Sequence, residues 1–309
     1  AGNFNNHIGV PLTLLSIPTD AEMAVVEMGA NHQGEIAELA RICEPDMGYI
    51  TNFGKAHLEG FGGVEGVIKG KSELYTYLNS RNDTYYLVNA DDPIQLEKTR
   101  GVLNVVTFGQ GEAHYPWHST SDGPMAAIAM SLPAQELLEI HSQLSGSFQE
   151  TNIAAAAALG LHWKVPAAAI KAAIEGYQPK MNRSEWRVTD YNTVLLDAYN
   201  ANPTSMALSI SNFIKWHPQG VLVLGDMFEL GEDSAAEHQA IVDLLVHQAF
   251  EGEVFLVGAH FGRTRSNFVC VDTAADLLDY WNKKGAPKGA HLLLKGSRGI
   301  ALEQVLPAL

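Results

Sequence analysis

Two side chains with the chemistry of metal ligands lie near the ends of predicted β-strands: Glu27 at the end of one strand and His57 in the loop after the next. Glu27 belongs to the apolar run Met23–Met28, which predicts a buried strand, and a buried carboxylate is costly unless it is paired or bound to a metal. His57 lies in a glycine-rich loop after the next predicted strand, Met47–Thr51. In open α/β sheets, ligands gather beyond the carboxyl ends of the strands. Glu27 and His57 could therefore bind a Mg2+ ion whose remaining ligands are water and phosphate oxygens. Taken alone, His57 also fits a hydrogen-bonded loop histidine.

The segment Gly66–Ser72 resembles a phosphate-binding loop but has the wrong spacing. That motif needs four residues between its glycines, and this segment has three between Gly66 and Gly70. No buried apolar strand leads directly into it, so we exclude a phosphate-binding loop here. Lys71 then lies near the start of a helix predicted over Val64–Leu78, where an ordinary solvated lysine is the alternative to a functional one.

The string Asp197–Pro203 ends a predicted strand where a helix begins. Asn202 before Pro203 has the pattern of an N-cap followed by proline at the first helical position. Capping explains these two residues but leaves Asp197 and Asn200 without a role.

Two further strand ends carry polar residues. Lys295–Arg298 precedes a predicted helix, a position that suits an anion and equally an ordinary turn between strand and helix. Asp226–Gly231 is an acidic turn with the same two interpretations.

Strands that alternate with helices predict an α/β fold with mostly parallel sheets. The segment 113–148 interrupts this alternation and predicts hairpins, and two alanine-rich helices follow at 152–162 and 166–176. Gly176–Asn182 has the composition of a hinge. We therefore predict one domain over residues 1–180 and a second, smaller α/β domain over 181–309.

Composition restricts the classes of protein further. The 309 residues are 46% hydrophobic and 18% charged, which is typical of a globular protein and excludes a disordered chain. Lys and Arg total 20 against 35 Asp and Glu, so the net charge of −15 argues against binding to nucleic acid or to an anionic membrane surface. No apolar run approaches the ~18 residues of a membrane span, and no signal peptide is visible. Two distant cysteines, Cys43 and Cys270, favour reduced thiols and a cytoplasmic location.

Several of these strings together resemble the Mur ligases, and most closely the members that add D-alanyl-D-alanine to UDP-N-acetylmuramoyl-tripeptide. The string Asp197–Pro203 is the most specific, since sister ligases and folylpolyglutamate synthetases carry other residues there. The other matching segments follow in the same order as in the family: Gly2–Leu15, Val26–His32, Asn52–Phe61, Leu224–Met227 and Lys295–Arg298.

The resemblance implies roles for individual residues. Glu27 and His57 match magnesium ligands, and Lys71 matches a lysine that the family carbamylates with carbon dioxide; these three are the expected catalytic and metal-binding residues. Contacts with the nucleotide are expected from Asn152, Arg183 and Asp197. Contacts with the other substrates are expected from Asn5, Asn6, Asn200, Asn202, Lys295 and Ser297. Gln149 and Glu150 stand where the family usually has a His-Asn pair before Asn152. This part of the expected contact with adenine therefore differs from the family pattern.

The resemblance also implies an activity: ATP-dependent, Mg2+-assisted formation of an amide through an acyl phosphate. The expected substrates are UDP-N-acetylmuramoyl-tripeptide and D-Ala-D-Ala, acted on by a cytoplasmic monomer. The expected fold is a P-loop-type central ATPase domain, truncated so that its P-loop is missing, followed by a Rossmann-like C-terminal α/β domain; such a fragment is expected to be inactive alone. The alternatives are a related ligase for another amino acid, a folylpolyglutamate-type ligase, or a catalytically dead binding module.

Overall fold

The computed structural model describes residues 4–55 and 57–309. Residues 1–3, of which two begin the matching segment Gly2–Leu15, and Ala56, which belongs to the loop of His57, lie outside the described residues. The chain forms two compact units. One contains the described residues up to His118 with 130–136 and 154–165, and the other contains 119–129, 137–153 and 166–309. The domain boundary between 180 and 181 stays a prediction.

The first sheet has six strands in the order β1-β2-β3-β4-β5-β6. They are β1 (Met47–Tyr49), β2 (Tyr85–Asn89), β3 (Val105–Gly109), β4 (Tyr115–Ser119), β5 (Met125–Ser131) and β6 (Leu137–Ser145). The strands from β1 to β4 pair in parallel. Strand β6 alternates buried and exposed side chains over most of its length, the pattern of a strand with one face on the core.

Seven helices accompany this sheet in the described part of the chain. They are α1 (Gly9–Leu15), α2 (Glu35–Cys43), α3 (Leu58–Phe61), α4 (Val64–Asn79), α5 (Pro93–Lys98), α6 (Phe148–His162) and α7 (Ala167–Glu175). The predicted helices are present, and α6 begins four residues earlier than predicted.

The prediction of a buried strand at Met23–Met28 is wrong. This run pairs with no strand among the described residues, and β1 forms the edge of its sheet. A strand needs a neighbour for its backbone N–H and C=O groups, which an apolar sequence does not supply by itself. Val25 is 78% exposed, and Glu27 is exposed as well. The argument that burial makes the Glu27 carboxylate costly therefore does not hold here.

The second sheet has the order β11-β10-β9-β12-β8-β7. Its strands are β7 (Glu185–Val188), β8 (Thr193–Asp197), β9 (Val221–Gly225), β10 (Glu253–Val257), β11 (Val269–Val271) and β12 (His291–Lys295). The strands are parallel except β7, which pairs antiparallel with β8 at one edge. Strand β9 is buried at every position, as expected of a central parallel strand covered on both faces.

Three helices belong to this part: α8 (Pro203–Trp216), α9 (Ser234–His247) and α10 (Ala274–Lys284). Short 3-10 helices occupy Pro133–Gln135, Gly231–Asp233, Phe261–Arg263, Arg298–Ile300 and Leu302–Ala308. No helix within the described ranges is long and apolar enough to cross a bilayer. Cys43 and Cys270 are both free thiols.

Candidate functional site

Lys71 lies in the middle of α4, not near the start of a helix as the sequence suggested. Its Nζ donates to the backbone oxygen of Asn52 at 2.8 Å. Burial of the amine lowers the pKa of Lys71, because the charged form loses hydration. A lowered pKa increases the fraction of neutral amine, which is the nucleophilic form.

Gly66 and Gly70 serve helix packing, which explains the resemblance to a phosphate loop. A Cβ at Gly66 would lie 1.9 Å from the backbone oxygen of Phe61, and one at Gly70 would lie 2.4 Å from the Phe61 ring. Both glycines are in α4, so they let this helix approach α3 closely. The exclusion of a phosphate-binding loop at Gly66–Ser72 agrees with this helical position.

The carboxylate of Glu27 is positioned by Asn5. Asn5 Nδ2 donates to Glu27 Oε1 at 2.9 Å, and the Asn5 backbone oxygen accepts from the Gly29 amide at 2.7 Å. A Cβ at Gly29 would lie 2.5 Å from Asn5 Nδ2, so this close approach requires glycine. Asn6 has another task, since its Oδ1 accepts from the amides of Ile8 and Gly9 at the start of α1.

His57 is half-buried and precedes α3 with a left-handed backbone, φ 52°. Within residues 4–55 and 57–309, no three side chains of His, Cys, Asp or Glu come together as a ready set of metal ligands. The sequence-predicted ligands are one carboxylate, one imidazole and one amine. An ammonium cannot ligate a cation, whereas carbamylation would give Lys71 the anionic oxygens that Mg2+ prefers.

Glu73, the residue directly after the Gly66–Ser72 segment, binds the N-terminus of α2. Its carboxylate oxygens accept from the amides of Gly34 at 2.6 Å and Ala37 at 3.0 Å. These amides have no partner within the helix, and a negative charge there also interacts favourably with the helix dipole.

We therefore expect Glu73→Ala to lower the free energy of unfolding by about 1–2 kcal/mol, the cost of a lost helix cap. Urea unfolding followed by circular dichroism measures this change. Glu73→Gln keeps one acceptor oxygen and should cost less than Glu73→Ala. Equal losses in the two variants would contradict the capping role.

Asp197 and Lys295 form a buried ion pair at the ends of neighbouring strands. They are direct partners in the register of β8 and β12, and Lys295 Nζ donates to Asp197 Oδ2. The Lys295 side chain is 3% exposed and that of Asp197 is 14% exposed. Asp197 also accepts from the Ser184 amide at 3.1 Å and from Ser209 Oγ at 3.2 Å. The sequence suggested Lys295 as a substrate contact, and its ammonium group is here paired with the Asp197 carboxylate.

The order of the second sheet explains why these residues meet. The chain runs outward from β9 to β11 and then returns, so that β12 lies between β9 and β8. The carboxyl ends of β8, β9 and β12 therefore share one edge at the point where the strand order reverses. In open α/β sheets this edge is where ligands bind.

Hydrogen bonds to other residues of the second unit hold the acidic turn Asp226–Gly231 after β9. Asp226 is 2% exposed, and its carboxylate accepts from the amides of His260 at 2.9 Å and Phe261 at 2.8 Å. His238 Nε2 accepts from the Met227 amide at 3.0 Å, and burial lowers the pKa of His238 and keeps the ring neutral. Of the two interpretations of this turn, the contacts favour a structural one.

Ser297 links this turn to the end of β12. Its Oγ accepts from the Phe228 amide at 3.0 Å, and its own amide donates to the Asp226 backbone oxygen at 3.0 Å. Ser297 is 3% exposed. The hydroxyl of Ser297, a predicted substrate contact, is thus already used as an acceptor.

Asn202 caps α8 as the sequence predicted. Its Oδ1 accepts from the Ser205 amide at 2.9 Å, and Ser205 Oγ accepts from the Asn202 amide at 3.1 Å, with Pro203 at the first helical position. Asn200 is exposed, and its Oδ1 accepts from the Ala201 amide. Within residues 4–55 and 57–309, the two donors of the Asn200 amide group have no partner.

The departure from the family pattern at Gln149 and Glu150 has a structural explanation. Glu150 is 4% exposed and accepts from Ser119 Oγ at 2.8 Å and Ser121 Oγ at 2.6 Å. Gln149 Oε1 accepts from Asn152 Nδ2 at 2.7 Å, and Asn152 itself is exposed on α6. The Asn152 side chain therefore keeps its own oxygen for a ligand.

Sequence reasoning missed two residues of the β8–β12 edge, Tyr199 and Arg298. The Arg183 guanidinium lies over the Tyr199 ring with Cζ 4.0 Å from the centroid, and the Arg298 guanidinium lies 5.3 Å from the same centroid. Both missed residues are inside strings that the sequence singled out, but no local pattern predicts that they meet.

The comparisons with protein families assign the chain. Residues 1–160 match the model of the Mur ligase middle domain, and residues 182–298 match that of the Mur ligase, glutamate ligase domain. The chain belongs to the Mur ligase family. The family resemblance seen in the sequence is thereby confirmed.

Known Mur ligases are similar to this one over its whole length. The UDP-N-acetylmuramoyl-tripeptide–D-alanyl-D-alanine ligase of Escherichia coli (strain K12) is 30% identical over 323 residues, covering 100% of this chain and 70% of the relative. The crystal structure of MurF from Acinetobacter baumannii has a TM-score of 0.87 at 28% identity, covering 99% of this chain and 69% of that one.

A third comparison supports the fold alone. The crystal structure of the MurF ligase from Thermotoga maritima, in complex with ADP, has a TM-score of 0.85 at 23% identity and covers 100% of this chain and 71% of that one. The predicted α/β fold class of this Mur ligase is confirmed.

Proposed function

We propose that this Mur ligase chain belongs to an enzyme that joins D-alanyl-D-alanine to UDP-N-acetylmuramoyl-tripeptide with ATP. The observation that carries the proposal is the alignment over the whole chain with the Escherichia coli ligase of that name. The string Asp197–Pro203 supports it, because it ends β8 at the edge where ligands bind in such sheets.

The proposed reaction has two steps. The tripeptide carboxylate attacks the γ-phosphate of ATP, which gives an acyl phosphate and ADP. The amino group of D-Ala-D-Ala then attacks the acyl carbon, and inorganic phosphate leaves. Positioning and electrostatic stabilisation supply most of the catalysis in reactions of this type.

The metal site of the proposal consists of Glu27, His57 and carbamylated Lys71. The donor set fits Mg2+ only after carbamylation, and the lowered pKa of Lys71 favours the neutral amine that reacts with carbon dioxide. When bound, Mg2+ would neutralise negative charge on phosphate oxygens. Asn5 holds the Glu27 carboxylate in place, which is a positioning role where the sequence predicted a substrate contact.

Asn152, Arg183 and Asp197 are proposed to orient the nucleotide. Asn152 Oδ1 can accept from an amino group because its Nδ2 is bound to Gln149. Asp197 acts indirectly. Its carboxylate accepts from the Ser184 amide, and this contact fixes the backbone next to Arg183.

The remaining proposals concern the two peptide substrates and the setting. The substrate contacts proposed are Asn6, Asn200, Asn202, Lys295 and Ser297, of which Asn200 keeps amide donors available. We further propose a cytoplasmic monomer with domains over 1–180 and 181–309.

The test is formation of the amide product from ATP, UDP-N-acetylmuramoyl-tripeptide and D-Ala-D-Ala. The protein is the whole enzyme to which this chain belongs, and a panel of other amino-acid acceptors is run in parallel. We expect D-Ala-D-Ala to be the preferred acceptor, with release of one phosphate per amide formed. Preference for a single amino acid would favour a sister ligase, and binding of ADP without turnover would favour a binding module.

A further inference from the structure

A cavity of about 350 Å3 lies at the amino ends of β10 and β11, within the second unit. Glu253 and Val254, the first residues of β10, line it together with Val269, the first residue of β11. Tyr280 and Lys284 of α10 line it as well. Small-molecule sites in proteins have volumes of roughly 300–1,000 Å3, so this cavity suits a ligand at the small end of that range.

The cavity is separate from the edge of the second sheet that carries the string Asp197–Pro203. Asp197 and Lys295 are the last residues of β8 and β12, whereas Glu253 and its register partner Val221 are the first residues of β10 and β9. Parallel strands of five residues separate these two edges by about 13–17 Å, at about 3.3 Å per residue. A ligand in the cavity would therefore not contact the edge at which we propose catalysis.

Aromatic side chains provide the apolar lining of the cavity. Phe255 is 5% exposed, and its ring packs edge to face with those of Tyr280 and Trp281, with centroids 6.0 and 5.4 Å apart. Phe268, in the segment before β11, is half-buried and also lines the cavity. Because the contacts with Phe255 hold the Tyr280 ring, the apolar part of a ligand would meet a surface that is already formed.

Two opposite charges line the same cavity without pairing. Glu253 and Lys284 are exposed, and neither side chain forms an ion pair or a hydrogen bond within residues 4–55 and 57–309. The Tyr280 hydroxyl and the Asn267 side-chain amide, which also line the cavity, have no hydrogen-bond partner in the same ranges. The cavity thus offers one anion, one cation and two neutral polar groups to a ligand.

We propose that this cavity binds a zwitterion, namely a free amino acid with an aromatic or other large apolar side chain. The ammonium group of the ligand pairs with Glu253, its carboxylate pairs with Lys284, and its side chain lies against the Tyr280 ring. A nucleotide does not suit the cavity, because its phosphates would lie beside the Glu253 carboxylate and like charges repel. The inference goes beyond the proposed ligase function and does not depend on it.

The first experiment follows the backbone amide signals of the chain by nitrogen-15 NMR during titration with L-phenylalanine. We expect saturable shifts at Phe268, Tyr280 and Gly285, which line the cavity, with a Kd of about 1 mM or below. Phenethylamine lacks the carboxylate of this ligand, and phenylacetate lacks its ammonium group. Each should bind about twofold to fivefold more weakly than L-phenylalanine, the effect of losing one exposed ion pair.

The second experiment assigns each charge of the ligand to its partner. Glu253→Gln should weaken binding of L-phenylalanine by about twofold to fivefold and abolish its advantage over phenylacetate. Lys284→Met should weaken binding by a similar factor and abolish the advantage over phenethylamine. Glu251→Gln and Lys283→Met replace exposed neighbours that do not line the cavity, and should leave the Kd unchanged.

Three results would overturn the inference. The first is the absence of saturable shifts up to about 10 mM L-phenylalanine, or shifts confined to residues away from the cavity. The second is equal binding of L-phenylalanine, phenethylamine and phenylacetate, which would show that the zwitterion is not recognised. The third is an unchanged Kd in both Glu253→Gln and Lys284→Met. None of these results bears on amide formation, by which the proposed function is judged.

Discussion

Lys295→Met is expected to lower the free energy of unfolding by about 3–5 kcal/mol, the cost of removing one partner from a buried ion pair. The Asp197 carboxylate would remain in a site where only 14% of its side chain is exposed, with the Ser184 amide and Ser209 hydroxyl as its remaining donors. Urea unfolding followed by circular dichroism measures the loss.

The controls separate the ion pair from other effects of the substitution. Lys283→Met replaces an exposed lysine in α10 and should change the free energy of unfolding by less than about 0.5 kcal/mol. Lys295→Met combined with Asp197→Asn leaves no unpaired charge and should cost less than the sum of the two single substitutions. Additive losses would show that the two charges do not interact.

Much of the fold could be predicted because the signals are local. The cap at Asn202 and Pro203 depends on residues within one turn, and the alternation in β6 depends on neighbours along the strand. The apolar run of β9 identifies a fully buried strand from its own composition. Such signals predict the elements and the residues at strand ends.

The contacts of the site depend on strand order, which these signals do not contain. Asp197 and Lys295 are 98 positions apart and meet only because β12 returns between β8 and β9. The run Met23–Met28 is not a strand for a related reason. A strand must pair with a neighbouring strand, and this run has none among the described residues. Tyr199 and Arg298 were inside the right strings, but their meeting follows from the same return of the chain.

Lys71→Ala is expected to lower the rate of amide formation by about a hundredfold to a thousandfold, the effect of losing one electrostatic stabiliser. The assay uses the whole enzyme to which this chain belongs. Because the proposed role of Lys71 is to supply carbamate oxygens, added formate or acetate should restore part of the rate by occupying their place. The rate of amide formation and its partial recovery with added carboxylate together test the proposed role of Lys71.

The carbamate itself can be observed by carbon-13 NMR of the protein in labelled bicarbonate. Only a neutral amine reacts with carbon dioxide, and burial lowers the pKa of Lys71, so its carbamate signal should persist to lower pH than that of an exposed lysine. The signal should disappear in Lys71→Ala and remain in Lys69→Ala, where an exposed lysine of the same helix is replaced. A Lys71→Ala enzyme at the wild-type rate would refute the metal role of Lys71. A loss of rate that no carboxylate restores would leave Lys71 essential but would place its function in the amine and its contact with Asn52.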